Sequence, residues 1–301
     1  MTDRPRITII TPSFNQAPFI AQCIDSVLDQ HYPNLQYIVL DGGSTDGTLD
    51  ILRGYRDRIV WKSEPDRGQA DAVNKGLRAA EGEIIGWLNS DDYYLPDCLS
   101  HVIECLARNP DAAMVYGRAL MVDRDGDTIR EYPTFDLKRD DLRRKCYLCQ
   151  PAVFVRRRAL AEVGLLNEAM DICLDYDWWL RLGRAHQLVF CAHMLAASRH
   201  YGATKTAARR LRALVEAGYL MREHFGGASW RWSAKWIVHR WTLDRTRFWF
   251  PIPGWIAAAR SAIRFHARFD ARRPPSRYGS KMIARLKTPP PLRPSPASAP
   301  R

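Results

Sequence analysis

Two adjacent carboxylates, Asp91 and Asp92, end the segment GWLNSDD, which begins as a short apolar strand. In an open α/β sheet, ligands bind beyond the carboxyl ends of the strands, so acids at this position face a ligand. Mg²⁺ takes few protein carboxylates and completes its coordination with water and phosphate oxygens. The pair therefore indicates a site for a divalent cation and a diphosphate. The alternative is that both acids cap the helix that starts near Pro96 and Asp97.

A second pair of acids, Asp175 and Asp177, lies in the segment DICLDYDWWLRLGRA. The apolar residues Trp178, Trp179 and Leu182 follow at helical spacing, so they would anchor a helix and leave its acidic start free. Acids at a helix N-terminus are stabilised by about 0.3 to 1 kcal/mol in any case. Capping could therefore account for one of the two.

Strand, loop and helix units position these acids. The segments Arg6 to Ile10, LQYIVLD and Ile59 to Lys62 read as strands, and a fourth strand ends at Asn89. Alternating strands and helices predict βαβ units and a mainly parallel sheet. Because right-handed connections bring the following loops to one edge, TPSFNQ, DGGSTDGT, EPDRGQAD and LNSDD are expected to converge.

Further elements are predicted after the fourth strand. They are a helix over 97–108, a strand near Met114 to Gly117, a hairpin with the turn DRDGD, a strand over Gln150 to Val155 and a helix ending near Gly164. The segment between the hairpin and Tyr147 is polar and predicts no particular chemistry.

The composition indicates in which compartment the protein folds and which kinds of site and segment it is expected to lack. The chain has 301 residues, of which 46% are hydrophobic. Its seven cysteines are an odd number without the dense spacing of a secreted disulfide scaffold, which favours a reducing compartment. Cys146 and Cys149 form a lone CxxC, so we expect no zinc site there. No apolar run is long enough for a signal peptide or a membrane span, and we expect neither.

Five motifs in order resemble the family 2 glycosyltransferases. They are ITIITPSFNQ, YIVLDGGSTDGT, SEPDRGQADAVNKGL, GWLNSDD and DYDWWLRL, and they cover roughly residues 6 to 205. The resemblance implies the A-type glycosyltransferase fold, a Rossmann-like nucleotide-binding α/β fold with a mostly parallel central sheet. It also implies a nucleotide-sugar donor, Mg²⁺ or Mn²⁺, and inversion at the anomeric carbon.

The resemblance also implies roles for single residues. Asp91 would be the metal ligand, with Asp92 in support, although Asn89 stands where many members carry an Asp and so removes one negative charge. Substrate contacts are implied for Thr11, Pro12, Asn15, Asp41, Asp66, Gln69, Asn74, Asn89, Arg199 and Lys205, of which the last two belong, with His200, to a basic loop expected to close over the diphosphate.

The catalytic base is implied to be Asp175 or Asp177. Members of the family often carry Glu just before this acid, and this chain has Leu174, so the choice between the two stays open. An inverting displacement needs one carboxylate to take the acceptor proton, away from the metal. The metal itself stabilises charge on the leaving phosphate.

The C-terminal part is strongly basic. Residues 199–301 carry 22 Lys and Arg against 4 Asp and Glu, whereas residues 1–198 carry 23 against 29. Six of the ten Trp lie between residues 230 and 255, interleaved with Arg and Lys. This composition suits contact with an anionic membrane surface. Packing on the catalytic domain is an alternative, and nucleic-acid binding is the least favoured.

These observations predict a catalytic domain over 1–205, a helical membrane-associating extension over 206–270 and a disordered Pro-rich basic tail over 271–301. The predicted activity is an inverting transfer of sugar to a saccharide or lipid-linked acceptor, in cell-surface polysaccharide or glycolipid synthesis. The predicted location is cytoplasmic, peripheral at the inner face of the cell membrane. Two alternatives stay open: a nucleotidyltransferase that makes an activated sugar, and a non-catalytic protein that binds nucleotide sugars.

Overall fold

A single mixed sheet organises the described part of the chain, which in this computed structural model is residues 4–227 except 139 and 203. Its strands are β1 (Ile7–Ser13), β2 (Leu35–Asp41), β3 (Val60–Ser63), β4 (Ile84–Trp87), β5 (Tyr93–Tyr94), β6 (Met114–Val122), β7 (Thr128–Glu131), β8 (Val153–Arg156) and β9 (Leu188–Arg199). The helices are α1 (Ile20–Leu28), α2 (Thr48–Gly54), α3 (Gln69–Ala79), α4 (Cys98–Arg108), α5 (Asp141–Arg144), α6 (Leu160–Val163), α7 (Leu174–Ala185), α8 (Lys205–Ala208) and α9 (Arg210–Phe225).

The strand order is β3-β2-β1-β4-β8-β6-β9-β5, with β7 paired to β6. The four strands β1 to β4 are parallel, as predicted. The remainder is mixed, since β8 runs antiparallel to β4 and β6 while β9 runs parallel to β6. The order reverses between β1 and β4, because the chain proceeds outward to β3 and then returns to the other side of β1. Such a reversal opens a crevice at the carboxyl ends of the strands.

Every residue of β1 is buried, because the sheet is covered on both faces. Side chains alternate along a strand, and Ile9 packs in one core while Ile10 packs in the other. Trp178 and Trp179 of α7 are almost fully buried in the second of these cores. The apolar pattern that predicted an anchored α7 is therefore realised in the packing.

Several predicted elements differ in extent. The predicted strand over 150–155 begins as a 3₁₀ turn (Gln150–Ala152), since Pro151 has no N–H to donate to a ladder, and only then becomes β8. The predicted helix ending near Gly164 shrinks to the single turn of α6, after which Gly164 has a φ of 73°. The hairpin turn is confirmed: Asp123 accepts hydrogen bonds from the backbone of Asp125, Gly126 and Asp127.

The predicted catalytic domain of 1–205 ends before α9, yet α9 packs in its core. Ala217, Tyr219, Leu220 and Met221 are buried in the same cluster as Trp178. The first part of the predicted extension over 206–270 is therefore integral to that core, which places the edge of the core beyond residue 205. The rest of the extension and the tail over 271–301 lie outside the described residues. Within the described range, no helix combines the length and apolar character needed to cross a bilayer.

Candidate functional site

A cleft of about 1130 Å³ opens at the carboxyl ends of the parallel strands. It is lined by Phe14, Gly42, Asp66 and Asp91, one from each loop that follows β1 to β4. The predicted convergence of the four loops is thus confirmed. Further lining comes from the 3₁₀ turn and the segment before it, from α3, from the start of α7, and from the end of β9 through α8 to α9.

Close approach of two loops explains Gly42. A Cβ atom built on Gly42 would lie 2.7 Å from Asp66 Oδ2 and 3.3 Å from the ring of Phe14. Real Cβ contacts are not that short, so the carboxylate of Asp66 occupies the space that a side chain at position 42 would need. Asp66 also accepts a hydrogen bond from the backbone of Gly68 at 2.7 Å, which fixes the carboxylate at the edge of the cleft.

The loops after β1 and β2 are joined by side-chain to backbone hydrogen bonds. Asn15, with a φ of 52°, accepts from the backbone of Thr45, and Ser44 accepts from the backbone of Asn15. Asp41, 2% exposed, accepts from the backbone of Gly43 and Ser44 and from the hydroxyls of Ser44 and Ser63. These bonds use the oxygens of Asn15 and Asp41 to shape the loops, and neither side chain borders the cleft.

Thr11 and Asn74 also lie away from the cleft surface. Thr11 is fully buried, with its hydroxyl 3.1 Å from that of Tyr37. Asn74 is fully buried and brackets Leu166, accepting from its N–H and donating to its C=O. Of the residues expected to contact substrate, six border the cleft: Pro12, Asp66, Gln69, Asn89, Arg199 and Lys205.

The two acids after β4 take different positions. Asp92 is 3% exposed and accepts a hydrogen bond from the backbone of Arg199 at 2.8 Å. Asp91 borders the cleft and accepts from the hydroxyl of Tyr201 at 3.2 Å. Neither caps α4, whose first turn lacks a side-chain cap. Burial raises the pKa of Asp91, and burial together with the charge of Asp91 raises the pKa of Asp92 well above its usual range.

This donor set fits a hard divalent cation. The half-buried carboxylate of Asp91 and the buried carboxylate of Asp92 repel each other, and a bound cation relieves both that repulsion and the cost of burying charge. Among the described residues no three His, Cys, Asp or Glu side chains are grouped so as to hold a metal. Asp91 and Asp92 are the acids that could hold the cation here, and two carboxylates are sufficient for Mg²⁺ with substrate phosphates.

The side-chain amide of Asn89 forms hydrogen bonds with the side chains of Gln69, Trp87 and Gln150. Its Oδ1 accepts from Gln69 Nε2 at 2.8 Å and from Trp87 Nε1 at 2.9 Å. Its Nδ2 donates to Gln150 Oε1 at 2.9 Å, and Gln150 in turn donates to the backbone C=O of Trp87. The side chain expected to meet the ribose is thus engaged with protein groups on both its oxygen and its nitrogen. The amide donor is needed here, which explains Asn in place of Asp.

The structure separates the two candidates for the base. Asp175 lines the cleft at the start of α7, and burial raises its pKa to about 6. Asp177 is 2% exposed and does not border the cleft. Arg181 Nη2 lies 2.8 Å from its Oδ2, and His224 Nε2 lies 3.4 Å from its Oδ1. Asp177 is therefore held in a buried network with Arg181 and His224, and of the two candidates only Asp175 borders the cleft.

The basic loop has a different arrangement from the one expected. Arg199 borders the cleft, but its guanidinium donates to Gln22 and to the C=O groups of Asp91 and Arg124. It also lies over the ring of Phe19, at 4.9 Å. The guanidinium therefore supports the Asp91 backbone with one of its five N–H donors and engages protein groups with two others. Lys205 borders the cleft and forms an ion pair with Asp171 at 2.9 Å.

Three side chains at the cleft were not singled out from the sequence. Phe14 is 60% exposed and borders the end of the cleft beside Gly42. Tyr201 reaches Asp91, and Gln150 completes the amide set around Asn89. An exposed aromatic residue between a strand and a helix, as in TPSFNQ, is a usable signal for Phe14. The other two depend on contacts across more than 60 residues of chain.

Comparison with known proteins gives one family. The model described as glycosyl transferase family 2 matches residues 8–164. A PGL/p-HBAD biosynthesis glycosyltransferase of Mycobacterium tuberculosis is 31% identical over 182 residues, which cover 59% of this chain and 69% of the relative. A glycosyltransferase of Rickettsia felis is 30% identical over 213 residues, covering 65% of this chain and 34% of the relative. The chain thus spans about a third of the Rickettsia felis protein.

Solved structures share the fold. Staphylococcus aureus TarS 1-349 in complex with UDP-GlcNAc has a TM-score of 0.62 at 16% identity, covering 87% of this chain and 81% of TarS 1-349. The mannosyltransferase PcManGT of Pyrobaculum calidifontis, in complex with GDP-Man and Mn²⁺, has a TM-score of 0.58 at 20% identity, covering 95% and 86%. These similarities confirm the predicted A-type glycosyltransferase fold.

Proposed function

Because the chain belongs to glycosyl transferase family 2, we propose that it transfers a sugar from a nucleotide-diphosphate donor to an acceptor hydroxyl, with inversion at the anomeric carbon. One observation carries the proposal: the cleft presents a carboxylate pair after β4 and a separate carboxylate, Asp175, at the start of α7. Inverting transfer needs these two functions in different places, since one serves the leaving group and the other the attacking hydroxyl.

The donor end of the cleft is the part built from the strand-end loops. Phe14 offers an exposed aromatic face for a nucleobase, and the Asp66 carboxylate packs beside it against Gly42. Asp66 and Gln69 border the adjoining space for ribose and sugar. The nucleotide sugars bound by TarS and PcManGT, which share this fold, support a donor of that class.

Asp91 and Asp92 would hold Mg²⁺ or Mn²⁺. The bound cation would act as a Lewis acid for the charge that develops on the leaving diphosphate. Tyr201 donates a hydrogen bond that orients the Asp91 carboxylate, and Arg199 donates one to the backbone C=O of Asp91. Asp175 takes the proton of the acceptor hydroxyl as that oxygen attacks the anomeric carbon and the bond to the diphosphate breaks. A pKa of about 6 leaves Asp175 ionised and moderately basic near neutral pH.

The acceptor end of the cleft supports a lipid-linked or otherwise apolar-flanked saccharide. The lining that includes Asp175 also includes the apolar side chains of Leu148, Ile172, Leu174 and Leu214. An acceptor of this kind agrees with the basic, Trp-rich sequence after residue 228, which suits contact with an anionic membrane. We therefore propose that the reaction takes place at the inner face of the cell membrane. We place the reaction in the synthesis of a cell-surface polysaccharide or glycolipid.

The proposal is tested by release of nucleoside diphosphate from UDP-, GDP- and dTDP-sugars, with Mn²⁺ and a membrane lipid extract. Release is expected to need the metal and to fall at least about 100-fold in Asp91→Ala and Asp175→Asn. Asp50→Asn, which removes an exposed carboxylate from α2, is the matched control and is expected to keep full activity.

Two other outcomes would support the alternatives. Release of pyrophosphate, without a need for Asp175, would support a nucleotidyltransferase. Tight binding of a nucleotide sugar with no product after prolonged incubation would support a non-catalytic binding protein. Inversion at the anomeric carbon is tested separately by NMR of the product. The anomeric configuration of the transferred sugar must be opposite to that in the donor.

A further inference from the structure

Glu216 of α9 reaches the backbone that leads into α7. The residue is 1% exposed. Its carboxylate accepts hydrogen bonds from the N–H groups of Ile172 at 2.8 Å and Cys173 at 3.0 Å, and from that of Asp171 at 3.1 and 3.2 Å. Three consecutive backbone donors thus converge on one buried side chain from another helix. Charge-assisted hydrogen bonds of this kind are stronger than those between neutral groups.

These N–H groups lie at the N-terminal end of a twelve-residue helix. Cys173 is the N-cap of α7, and no side chain near it caps the helix. The first N–H groups of a helix need acceptors, and its N-terminus carries a partial positive charge. Glu216 therefore supplies from α9 an acceptor for the backbone N–H groups that lead into the helix, and adds its charge to those of Asp175 and Asp177 in the first turn. Asp175 is the second residue of the helix that this contact fixes.

Further contacts hold the same tripeptide to the same region. Arg212 Nε lies 3.1 Å from Glu216 Oε1, which fixes the carboxylate from its other side. The thiol of Cys173 points to the C=O of Ala213 at 3.4 Å. The carboxylate of Asp171 forms ion pairs with Lys205 at 2.9 Å and Arg209 at 2.8 Å. The start of α7 is thus held through its backbone and through two of its side chains.

We propose that Glu216 is a positioning residue for Asp175, and that α9 is by this contact part of the transfer machinery. The inference rests on the proposed function, which makes Asp175 the base, and adds a residue outside the 8–164 span of the family model. Glu216 acts through the backbone of residues 171–173. It sets the place of Asp175 in the cleft and keeps the carboxylate among the neighbouring side chains that partly shield it from water.

Those neighbours are thiols and phenols. The titratable groups that face Asp175 are Tyr132, Cys146, Cys149, Cys173 and Tyr176. Burial raises the pKa of Asp175 to about 6. If the start of α7 loosened, more of the carboxylate would be exposed to water and its pKa would fall toward the ordinary value. Displacement of Asp175 would therefore move the acidic limb of the pH–rate profile to lower pH.

The test compares wild type, Glu216→Gln and Glu216→Asp, with Glu104→Gln on α4 as a control that removes an exposed carboxylate. For Glu216→Gln we expect kcat to fall about 10-fold or more, nucleoside diphosphate affinity to change less than twofold, and the acidic limb to move to lower pH. Glu216→Asp keeps the charge on a shorter side chain and should show a smaller change in the same direction. Glu104→Gln should match wild type.

Two results would overturn the inference. Folded Glu216 variants could keep the kcat and the acidic limb of wild type and show only a lower Tm. The contact would then stabilise the fold without positioning Asp175. Equal losses of kcat and nucleotide affinity would indicate general damage to the cleft. If Glu216→Gln fails to fold, Glu216→Asp decides by the same criteria.

Failure of the proposed function gives a different pattern. Wild type would then show no transfer with any donor, whatever residue stands at 216. In that case carboxyl ¹³C NMR titration of Asp175 still tests the positioning, because it needs no turnover. A lower Asp175 pKa in Glu216→Asp than in wild type supports the contact, and an unchanged value overturns it.

Discussion

The hydroxyl of Tyr201 donates a hydrogen bond to the carboxylate of Asp91, with 3.2 Å between Tyr201 Oη and Asp91 Oδ2. The ring of Tyr201 packs against Phe19, with 5.5 Å between centroids. Burial raises the pKa of Asp91, and this hydrogen bond partly opposes the effect by stabilising the ionised form. Tyr201 therefore both aims the carboxylate into the cleft and favours the charge that a cation needs.

Tyr201→Phe removes the hydrogen bond and keeps the ring. We expect the affinity for Mn²⁺, measured with nucleoside diphosphate present, to fall about 10-fold or more, since outer partners of metal ligands have effects of this size. Tyr55→Phe is the matched control, because Tyr55 donates to Asp25 at 3.0 Å in another phenol–carboxylate pair, between α1 and the end of α2. Equal Mn²⁺ affinity in wild type and Tyr201→Phe would contradict the assignment.

Asp175 predicts the acidic limb of the activity profile. Its folded-state pKa of about 6 means that the carboxylate is protonated, and unable to take a proton, at lower pH. We expect kcat to fall about tenfold for each pH unit below roughly 6 and to level off above pH 7. Measurement of kcat from pH 4.5 to 8 at saturating donor and metal checks this. Activity that stays level down to pH 4.5 would assign the base elsewhere.

The same shift predicts how stability depends on pH. Because the folded state raises the pKa of Asp175 from 3.8 to about 6, it binds this proton more tightly than the unfolded state does. The stabilisation by the proton is present below pH 3.8 and is lost as pH rises through 6. Asp175→Asn has no such loss. We expect it to be more stable than wild type at pH 7.5, on the order of 1 to 3 kcal/mol, and to lose this advantage near pH 4.

Thermal unfolding of wild type and Asp175→Asn between pH 4 and 7.5 measures that difference. Asp50→Asn, an exposed substitution, should stay within about 0.5 kcal/mol of wild type at each pH. An Asp175→Asn variant that is less stable than wild type at pH 7.5 would show that the ionised carboxylate is stabilised by a partner.

Gly42→Ala tests the close approach of two loops at the donor end. The added methyl group would lie 2.7 Å from Asp66 Oδ2, so Asp66 or its loop must move. We expect the KM for the nucleotide sugar to rise about 10-fold, because small displacements at a binding site have large effects. Gly54→Ala is the control: nothing lies within 4 Å of its Cβ, and Ala favours the end of α2. Unchanged KM in Gly42→Ala would remove Asp66 from the donor site.

Asn89→Asp tests why this chain departs from the acidic pair found in many relatives. The new carboxylate oxygen would face Gln150 Oε1, where Asn89 now donates at 2.9 Å. We expect a loss of about 1 to 3 kcal/mol in stability and no gain in metal affinity. Denaturant unfolding and Mn²⁺ titration measure both. Asn109→Asp, at the C-terminal end of α4, is the control for the change itself. Tighter Mn²⁺ binding in Asn89→Asp would make position 89 a metal ligand.

Local patterns were sufficient for much of this protein. The alternation of apolar strands with amphipathic helices predicted β1 to β4, their parallel pairing and the meeting of four loops at one edge, because chirality and connection length leave few other arrangements. The same patterns placed Asp91 after a buried strand and Asp175 at a helix start. Those two positions depend on neighbours in sequence, so periodicity and motif order were enough to find them.

Tertiary structure decided what the other polar residues do. Asp177 and Asp175 are two residues apart in the same acidic segment, yet only packing shows that Arg181 and His224 engage Asp177 while Asp175 opens to the cleft. Arg199 was predicted to lie in a basic loop, and only the tertiary structure shows that its guanidinium also supports the backbone of Asp91.

The contact between Glu216 and the start of α7 spans more than 40 residues of chain, and the contact between Tyr201 and Asp91 spans 110. A hydrogen bond between residues so far apart in sequence depends on how whole elements pack. Burial of the apolar surface around each partner brings the two together, and the local preference of neither segment does so. Sequence therefore determined which elements form and which acids stand at their ends. Packing alone determined which of those polar groups pair with each other and which stay available to a substrate.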